Sequence, residues 1–360
     1  MPVTLDASTI AVLTQQVLGA TLVLSALFGF AAQRSHFCTM GAVSDIVNMQ
    51  DWTRMHMWAV AIAIAVLGFS GMSYLGVIAP EKALYVSPKV LWLSTLVGGL
   101  MFGFGMVLAS GCGNKTLLRI SAGNLKSLVV FMVMGIAAFA TLKGITAVVR
   151  VNTVDLFSFT APTLSIPMRL IVSSLLAFVL LIWALRNPHM RSLSALLPSL
   201  VIGGVIVGVW YVSGRLGYVQ EHPDTLQEAF LATNSGRMES LSFVAPIAYL
   251  LDWLMMFSDK SKVLTLGMVS VVGVMLGGFL EAQISKTFRW EGFASTEDVT
   301  NHLVGAVLMG IGGVTAMGCT IGQGLSGIST LALGSFIALA GILLGAVSAF
   351  KYQIWRLDRM

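Results

Sequence analysis

Three cysteines stand at the same point of a repeated glycine-bearing motif in this chain. This motif is the part of the sequence most able to do chemistry. One copy of the pattern runs from Gly103 to Cys112, and a second runs from Gly310 to Cys319 with every glycine and the cysteine 207 residues later. A looser third copy ends at Cys38. The chain contains 3 cysteines in all, so every thiol follows a glycine-bearing apolar segment.

The glycines beside these cysteines predict how the thiols are presented. Gly111 and Gly318 are expected to let the chain break and turn, so that a short helix begins after each cysteine. Helix N-termini attract anions, and a thiol is a weak donor and a soft, polarizable contact. The predicted chemistry is the binding of a small anion that carries an exposed sulfur atom.

Polar side chains near the cysteines complete the candidate site. Asn114 and Gln323 follow Cys112 and Cys319 within about one helical turn, and Gln33 precedes Cys38. Each can either cap a short helix or hydrogen-bond an anion. The candidate site residues are therefore Cys38, Cys112, Cys319, Gln33, Asn114, Gln323, Gly111 and Gly318.

Other uses of the thiols are less consistent with the sequence. An odd cysteine count argues against a disulfide framework. Cu(I) prefers thiolate and thioether ligands, but the 20 methionines are scattered through apolar segments. A nucleophilic cysteine needs a base, and His36 lies two residues from Cys38, a spacing that does not share a helical face. We expect no metal, no cofactor and no enzymatic activity, with a cysteine-persulfide enzyme or redox sensor as the alternative.

Composition places these motifs in a membrane. The chain is 56% hydrophobic and 10% charged, with a mean hydropathy of +0.87, whereas soluble domains carry about 25% charged residues. The net charge of +5 is spread over many loops and predicts no nucleic-acid surface. Nine apolar segments are long enough to span, at about 10–33, 55–79, 90–111, 126–149, 166–185, 196–213, 263–285, 300–318 and 331–352.

The loops predict an orientation and an internal repeat. If the shorter segment 241–257 does not cross, twelve basic residues lie on one side against seven on the other, which places the N-terminus outside and the C-terminus in the cytoplasm. The spans before Cys112 and Cys319 then run in opposite directions. We expect a single membrane domain over 1–360, all-α, with re-entrant helices and two inverted halves at about 10–150 and 196–357.

Four segments resemble a known family. They are Gly29–Cys38, Gly98–Cys112, Gly305–Gly324 and Ser285–Arg289, and they are similar to the motifs of the YeeE/YedE family of sulfur-compound membrane transporters. The chain departs from the family at Gly113 and Asn114, where members often show a small residue and Thr-Gly.

The resemblance implies a function and partners. It implies uptake of thiosulfate across a bacterial inner membrane through an hourglass-shaped protein, with Cys38, Cys112 and Cys319 as stepping stones. Some members work with a small cytoplasmic sulfur-carrier protein, which is a possible partner here. Some relatives are linked to selenium metabolism, so a selenium-compound transporter is a further alternative.

Overall fold

Most of the described chain is helical in the computed structural model, with almost no sheet, which confirms the predicted all-α class. The structure describes residues 6–223, 225–293 and 295–358. The α-helices are α1 Ala7–Arg34, α2 Thr39–Met49, α3 Thr53–Tyr74, α4 Trp92–Leu108, α5 Gly113–Ser121, α6 Leu125–Lys143, α7 Ile145–Asn152, α8 Ile166–Leu185, α9 Leu193–Tyr211, α10 Val244–Met255, α11 Leu266–Ile284, α12 Thr296–Thr315 and α13 Leu333–Leu357.

Short elements connect these helices. Two antiparallel pairs of short strands join neighbouring loops, β1 Lys89–Val90 with β2 Phe159–Thr160, and β3 Tyr218–Val219 with β4 Ala229–Phe230. Short 3₁₀-helices are present at Pro80–Lys82, Val154–Leu156 and Pro188–Arg191, and short π-helices at Val212–Leu216 and Gly322–Gly327.

Eight helical segments in the described part of the chain are long and apolar enough to cross a membrane. α12 adds a ninth helix of 20 residues, but its first turn carries Glu297 and Asp298, which lowers its apolar character. Large apolar side chains such as Ile171, Leu175 and Phe178 on α8 are exposed, as expected for lipid-facing helices. The protein is therefore an integral membrane protein, as predicted.

The two helices that carry the repeated motif run in opposite directions. A Cβ on Gly98 would lie 2.7 Å from the carbonyl oxygen of Gly312, and a Cβ on Gly105 would lie 2.7 Å from that of Gly305. Residue numbers rise along α4 while they fall along α12, so the pair is antiparallel. The two cysteine cassettes are thus inverted relative to each other.

The other close helix pairs give the relative directions of most of the remaining spans. α4 packs parallel to α13, since Gly99 meets Ala338 and Gly103 meets Ile342. The same reasoning makes α1 parallel to α11, α3 parallel to α9 and α6 parallel to α12. Two faces result. The Cys38 face holds loops 35–52, 109–124, 186–192 and 285–295, and the Tyr85 face holds loops 75–91, 144–165 and 212–243.

α10 does not cross the membrane. It has 12 residues, a length of about 18 Å, against an apolar core of about 30 Å. The chain before α10 touches the start of α11, because the Leu266 N–H donates to the Ala232 carbonyl at 2.7 Å and the Asn234 amide donates to the Thr265 hydroxyl at 3.0 Å. The segment 241–257 therefore enters and leaves from the Tyr85 face, the arrangement on which the nine-span prediction rests.

Candidate functional site

Each cysteine stands immediately before a short helix. α2 follows Cys38, α5 follows Cys112, and a helix over 320–329, with a π-helical centre at Gly322–Gly327, follows Cys319. The cysteine carbonyl accepts the first helical hydrogen bond in all three, from Ala42, Thr116 and Gln323 at 2.9, 2.9 and 2.8 Å. The N–H groups of the residues between each cysteine and this first hydrogen bond therefore have no partner within the helix.

The sharp turn before each cysteine is made two residues upstream of it. His36, Ser110 and Met317 adopt the left-handed conformation, with φ of 53°, 55° and 57°. The following amide in each case reaches back to close the same helix C-terminal motif. The prediction that Gly111 and Gly318 supply the turn is wrong in this detail, because neither has a positive φ. Their lack of a side chain leaves room for neighbours: a Cβ on Gly111 would lie 3.3 Å from Lys115 Cβ, and one on Gly318 would lie 3.0 Å from Gln323 Cγ.

The three cysteines are buried and linked through neighbouring polar groups. The thiols of Cys38 and Cys112 lie beside each other, and the Thr320 hydroxyl adjoins Cys112. Cys319 directly precedes Thr320, and its sulfur accepts the Gly322 N–H at 3.4 Å. The exposed fraction of each cysteine is 4% or less. Cassettes that are far apart in the sequence therefore meet in one buried region.

This region holds a cluster of buried polar atoms with no hydrogen-bond partner. Both side-chain polar atoms of Asn114, the Oε1 atoms of Gln33 and Gln323, and the hydroxyls of Thr39 and Thr320 are all without a protein partner. Gln323 does donate its amide to the Ala316 carbonyl at 2.5 Å. Leaving a buried polar group unpaired costs about 1–3 kcal/mol, so this clustering indicates groups that are completed by water or a ligand.

Basic side chains lie on the side of the site that is nearer the Cys38 face. Lys115, Arg119 and Arg54 all act electrostatically on Cys38 or its immediate neighbours. Arg54 is paired with Asp45 at 3.2 Å, whereas Lys115 has no ion pair within the described residues. A half-buried ammonium close to two thiols favours an anion at this point.

A second group of side chains flanks Cys319 toward the Tyr85 face. A Cβ on Gly322 would lie 2.6 Å from the Ser242 hydroxyl and 3.0 Å from the Tyr85 hydroxyl, so both hydroxyls surround the first turn after Cys319. Burial raises the pKa of Tyr85 well above its ordinary value, which keeps this hydroxyl protonated and able to donate.

Two cavities on this face approach Cys319. One, of about 240 Å³, is lined by Tyr85, Glu239, Ser242 and Gly318 among others. The other, of about 810 Å³, includes Arg169 and Gln323. Met317 borders both. Cavities that can hold water therefore extend from the Tyr85 face to the residues beside Cys319.

Sequence reasoning missed the side chains that come from loops and from α8. Tyr85, Ser242 and Arg169 lie in segments without a cysteine motif, and nothing in their spacing ties them to Cys319. Arg169 carried the one available signal, since an arginine in an apolar span is costly and often functional.

Comparison with known proteins agrees with the motifs. The family model described as Sulphur transport matches residues 34–348. The thiosulfate transporter TsuA of Escherichia coli is 28% identical over 343 residues, covering 91% of this chain and 92% of the relative. TsuA of Spirochaeta thermophila is 25% identical, covering 90% and 95%. The probable transporter YedE of Escherichia coli is 33% identical over 114 residues, covering 31% of this chain and 26% of the relative. The chain therefore belongs to the Sulphur transport family, the YeeE/YedE family that its cysteine motifs resemble.

Proposed function

We propose that this protein takes up a small sulfur-containing anion, most simply thiosulfate, across the bacterial inner membrane. The observation that carries the proposal is the meeting of Cys38, Cys112 and the Cys319–Thr320 pair in one buried region where polar atoms lack partners. Two full-length relatives are thiosulfate transporters. The substrate class is thus the one that thiols and helix N-termini can bind.

The cysteines act in order along the path. An ion entering from the Tyr85 face meets Cys319 with its Gly322 N–H, then Cys112 and Cys38, and leaves past Lys115. Thiol donors hold the terminal sulfur weakly, while helix amides hold the oxygens. Contacts that are individually weak allow the ion to move on, since sites that bind tightly do not conduct.

Uptake of labelled thiosulfate into proteoliposomes tests this proposal directly. Cys112→Ala and Cys319→Ala should each reduce uptake to near the background of empty vesicles at equal protein level and equal thermal stability. Thr141→Ala is a matched control, because this buried hydroxyl bonds to the Ala137 carbonyl of α6 and the Thr146 hydroxyl of α7, not to a cysteine. Wild-type rates in both cysteine variants would exclude the relay.

The adjacency of Cys38 and Cys112 favours one alternative, a persulfide-forming enzyme. A thiolate would attack the outer sulfur of thiosulfate, forming an S–S bond and releasing sulfite with the electron pair of the broken S–S bond. Intact-mass spectrometry after thiosulfate exposure distinguishes the two functions. A stable gain of one sulfur atom on a cysteine supports the enzyme, and an unmodified mass with active uptake supports the transporter.

The small sulfur-carrier partner belongs to the same proposal. The Cys38 face bears most of the basic loop residues, including Arg54, Arg119 and Lys286, and is the face where the ion would leave. Placing this face in the cytoplasm follows from the positive-inside rule.

A further inference from the structure

Arg169 is a buried arginine in a span whose other buried residues, Ser173, Ala177 and Ala184, are small. It lies in the first turn of α8 and is 3% exposed. The guanidinium rests 5.9 Å from the centre of the Phe69 ring. A charge placed at such a position is costly unless it is paired.

The protein supplies Arg169 with only part of what a guanidinium needs. One Nη1 N–H donates to the Thr330 carbonyl at 2.8 Å, but the buried Nε has no acceptor. No carboxylate forms an ion pair with it within the described residues. Asp155, which lines the same cavity, is already engaged by Arg150 at 3.5 Å and by the Ser94 hydroxyl at 2.7 Å.

Thr330 explains part of the arginine's placement but does not balance its charge. This residue ends the short helix that begins after Cys319, and a cation near a helix C-terminus is stabilising. The helix terminus is equivalent to roughly half an elementary charge, so a net positive charge and an unused donor remain. Glu81 lies near enough to act electrostatically on Arg169, but among the described residues it forms no ion pair with the guanidinium. The buried Nε–H is therefore left for an anion from outside the protein.

The cavity beside Arg169 is the place where such an anion can bind. It measures about 810 Å³ and is also lined by Lys89, Gln323 and Met317. Met317 and Gln323 flank Cys319 on either side in the sequence. An anion held in this cavity therefore shares it with residues that flank the first thiol of the proposed path in the sequence.

We infer that Arg169 forms an oxyanion-binding site at the Tyr85-face entrance, where it captures the substrate by its oxygens before Cys319 receives it. This inference deepens the proposed function and rests on it for the direction of transport. A guanidinium fork recognises oxygens in pairs, and sulfate and thiosulfate share those oxygens. The site selects divalent sulfur oxyanions as a class, and the thiols then distinguish the one with a terminal sulfur.

Equilibrium binding of labelled sulfate to the purified full-length protein in nanodiscs tests the site without needing transport. Arg169→Gln should weaken sulfate binding by at least about 10-fold, the scale of losing a charge-assisted contact. Arg215→Gln is the matched control, since Arg215 is an exposed arginine of the same face, and it should bind as wild type does. Cys319→Ala should also keep sulfate binding.

A conservative variant covers the case in which Arg169→Gln does not fold. Arg169→Lys keeps the charge and a donor to Thr330 but loses the fork, so its sulfate affinity should fall several-fold with little change in unfolding temperature. Wild-type affinity in folded Arg169→Gln or Arg169→Lys would overturn the inference and leave Arg169 as a helix cap. Absence of thiosulfate uptake by the wild type would instead overturn the proposed function, while sulfate binding would still report on this site.

Discussion

The sulfur of each cysteine stands beside groups that suit a sulfur-bearing anion. Cys319 receives an N–H from Gly322, and Cys112 lies beside the Cys38 thiol and the Thr320 hydroxyl. None of these neighbours is a carboxylate or an imidazole that could act as a base. The charged group beside Cys38 and Cys112 is the Lys115 ammonium, which attracts an anion and also favours a thiolate, so the mass measurement decides between transfer of the ion and covalent capture.

Cys38 allows a test of whether sulfur itself is recognised. Cys38→Ser keeps a hydrogen-bonding group but loses the polarizable sulfur, and Cys38→Ala loses both. If the thiol contacts the ion, uptake should fall in the order wild type, Ser, Ala. If Cys38 only packs, Ala should equal or exceed Ser, because it buries no unpaired hydroxyl. Initial uptake rates at matched protein levels give the order.

Glu239 predicts a pH dependence of stability. Burial raises the pKa of this carboxyl above its ordinary 4.5, so the folded protein holds the proton to a higher pH than the unfolded chain does. Stability is fully present below pH 4.5 and falls as the pH rises through the raised pKa. The unfolding temperature of Glu239→Gln should therefore exceed that of wild type increasingly as the pH rises.

The control for this effect is Glu228→Gln on the same face. Lys82 holds the pKa of Glu228 below its usual value, so its replacement should give no gain at high pH. A constant difference between wild type and Glu239→Gln across pH 4.5 to 8, measured by thermal unfolding in detergent, would contradict the assignment.

For single residues, the sequence pointed to the thiols and side-chain amides as candidates, but not to the other side chains that lie near Cys319. Asn114, Gln33 and Gln323 were identifiable because they share a local frame with a cysteine. Tyr85, Ser242 and Arg169 were not, since only the packing of distant helices brings them to Cys319. Their own neighbours in the sequence are ordinary loop and helix-end residues.

Among the elements, the glycine-lined crossing of α4 and α12 fixes the positions of two cysteines. Gly105 and Gly305 face each other, and a Cβ on either would come within 2.7 Å of the opposite carbonyl oxygen. Small residues that let backbones approach this closely favour helix association in lipid through van der Waals packing. The cysteine loops at the ends of these helices are held by that contact.

Gly105→Ala should therefore separate α4 from α12 and reduce both stability and uptake. Gly204→Ala is the matched control, because a Cβ there meets nothing within 4 Å and alanine is the better helix former. The unfolding temperature in detergent should fall for Gly105→Ala and stay level or rise for Gly204→Ala. Equal temperatures for the two variants would show that the crossing tolerates a methyl group.

The packing of the elements bears on which helices correspond in the proposed inverted repeat. The run Gly278–Ser285 on α11 echoes Gly29–Ser35 on α1, yet these two helices pack side by side and parallel. An inverted repeat instead pairs helices of opposite direction, which matches α1, α3, α4 and α6 with α9, α11, α12 and α13. We interpret α2 and α10 as its paired half-helices, an assignment that sequence similarity could not provide because α10 has no cysteine.

For the whole molecule, the sequence predicted the membrane spans and their topology better than the path of the ion between them. Apolar length located the spans, and the balance of basic residues favoured the arrangement in which 241–257 stays on one face. The path depends on where short helices return into the protein, and these are too short and too polar for hydropathy to place. The cavities and Arg169 emerge only when α8, the loops and the cysteine helices are assembled.

The orientation of the whole molecule gives a final prediction. The described termini lie on opposite faces, because α1 and α13 run in the same direction and the C-terminal end of α13 contacts the Cys38 face through the Arg356–Glu297 ion pair at 2.9 Å. The positive-inside rule predicts that this face is cytoplasmic. A reporter fused after the C-terminus should therefore read as cytoplasmic, and a tag inserted in 220–235 should be reached by an impermeant label from outside. Both sites on one side would contradict the odd number of spans, whereas a reversed result at both would keep the fold but invert the path, making Arg169 an exit site and Cys38 the first thiol to meet the ion.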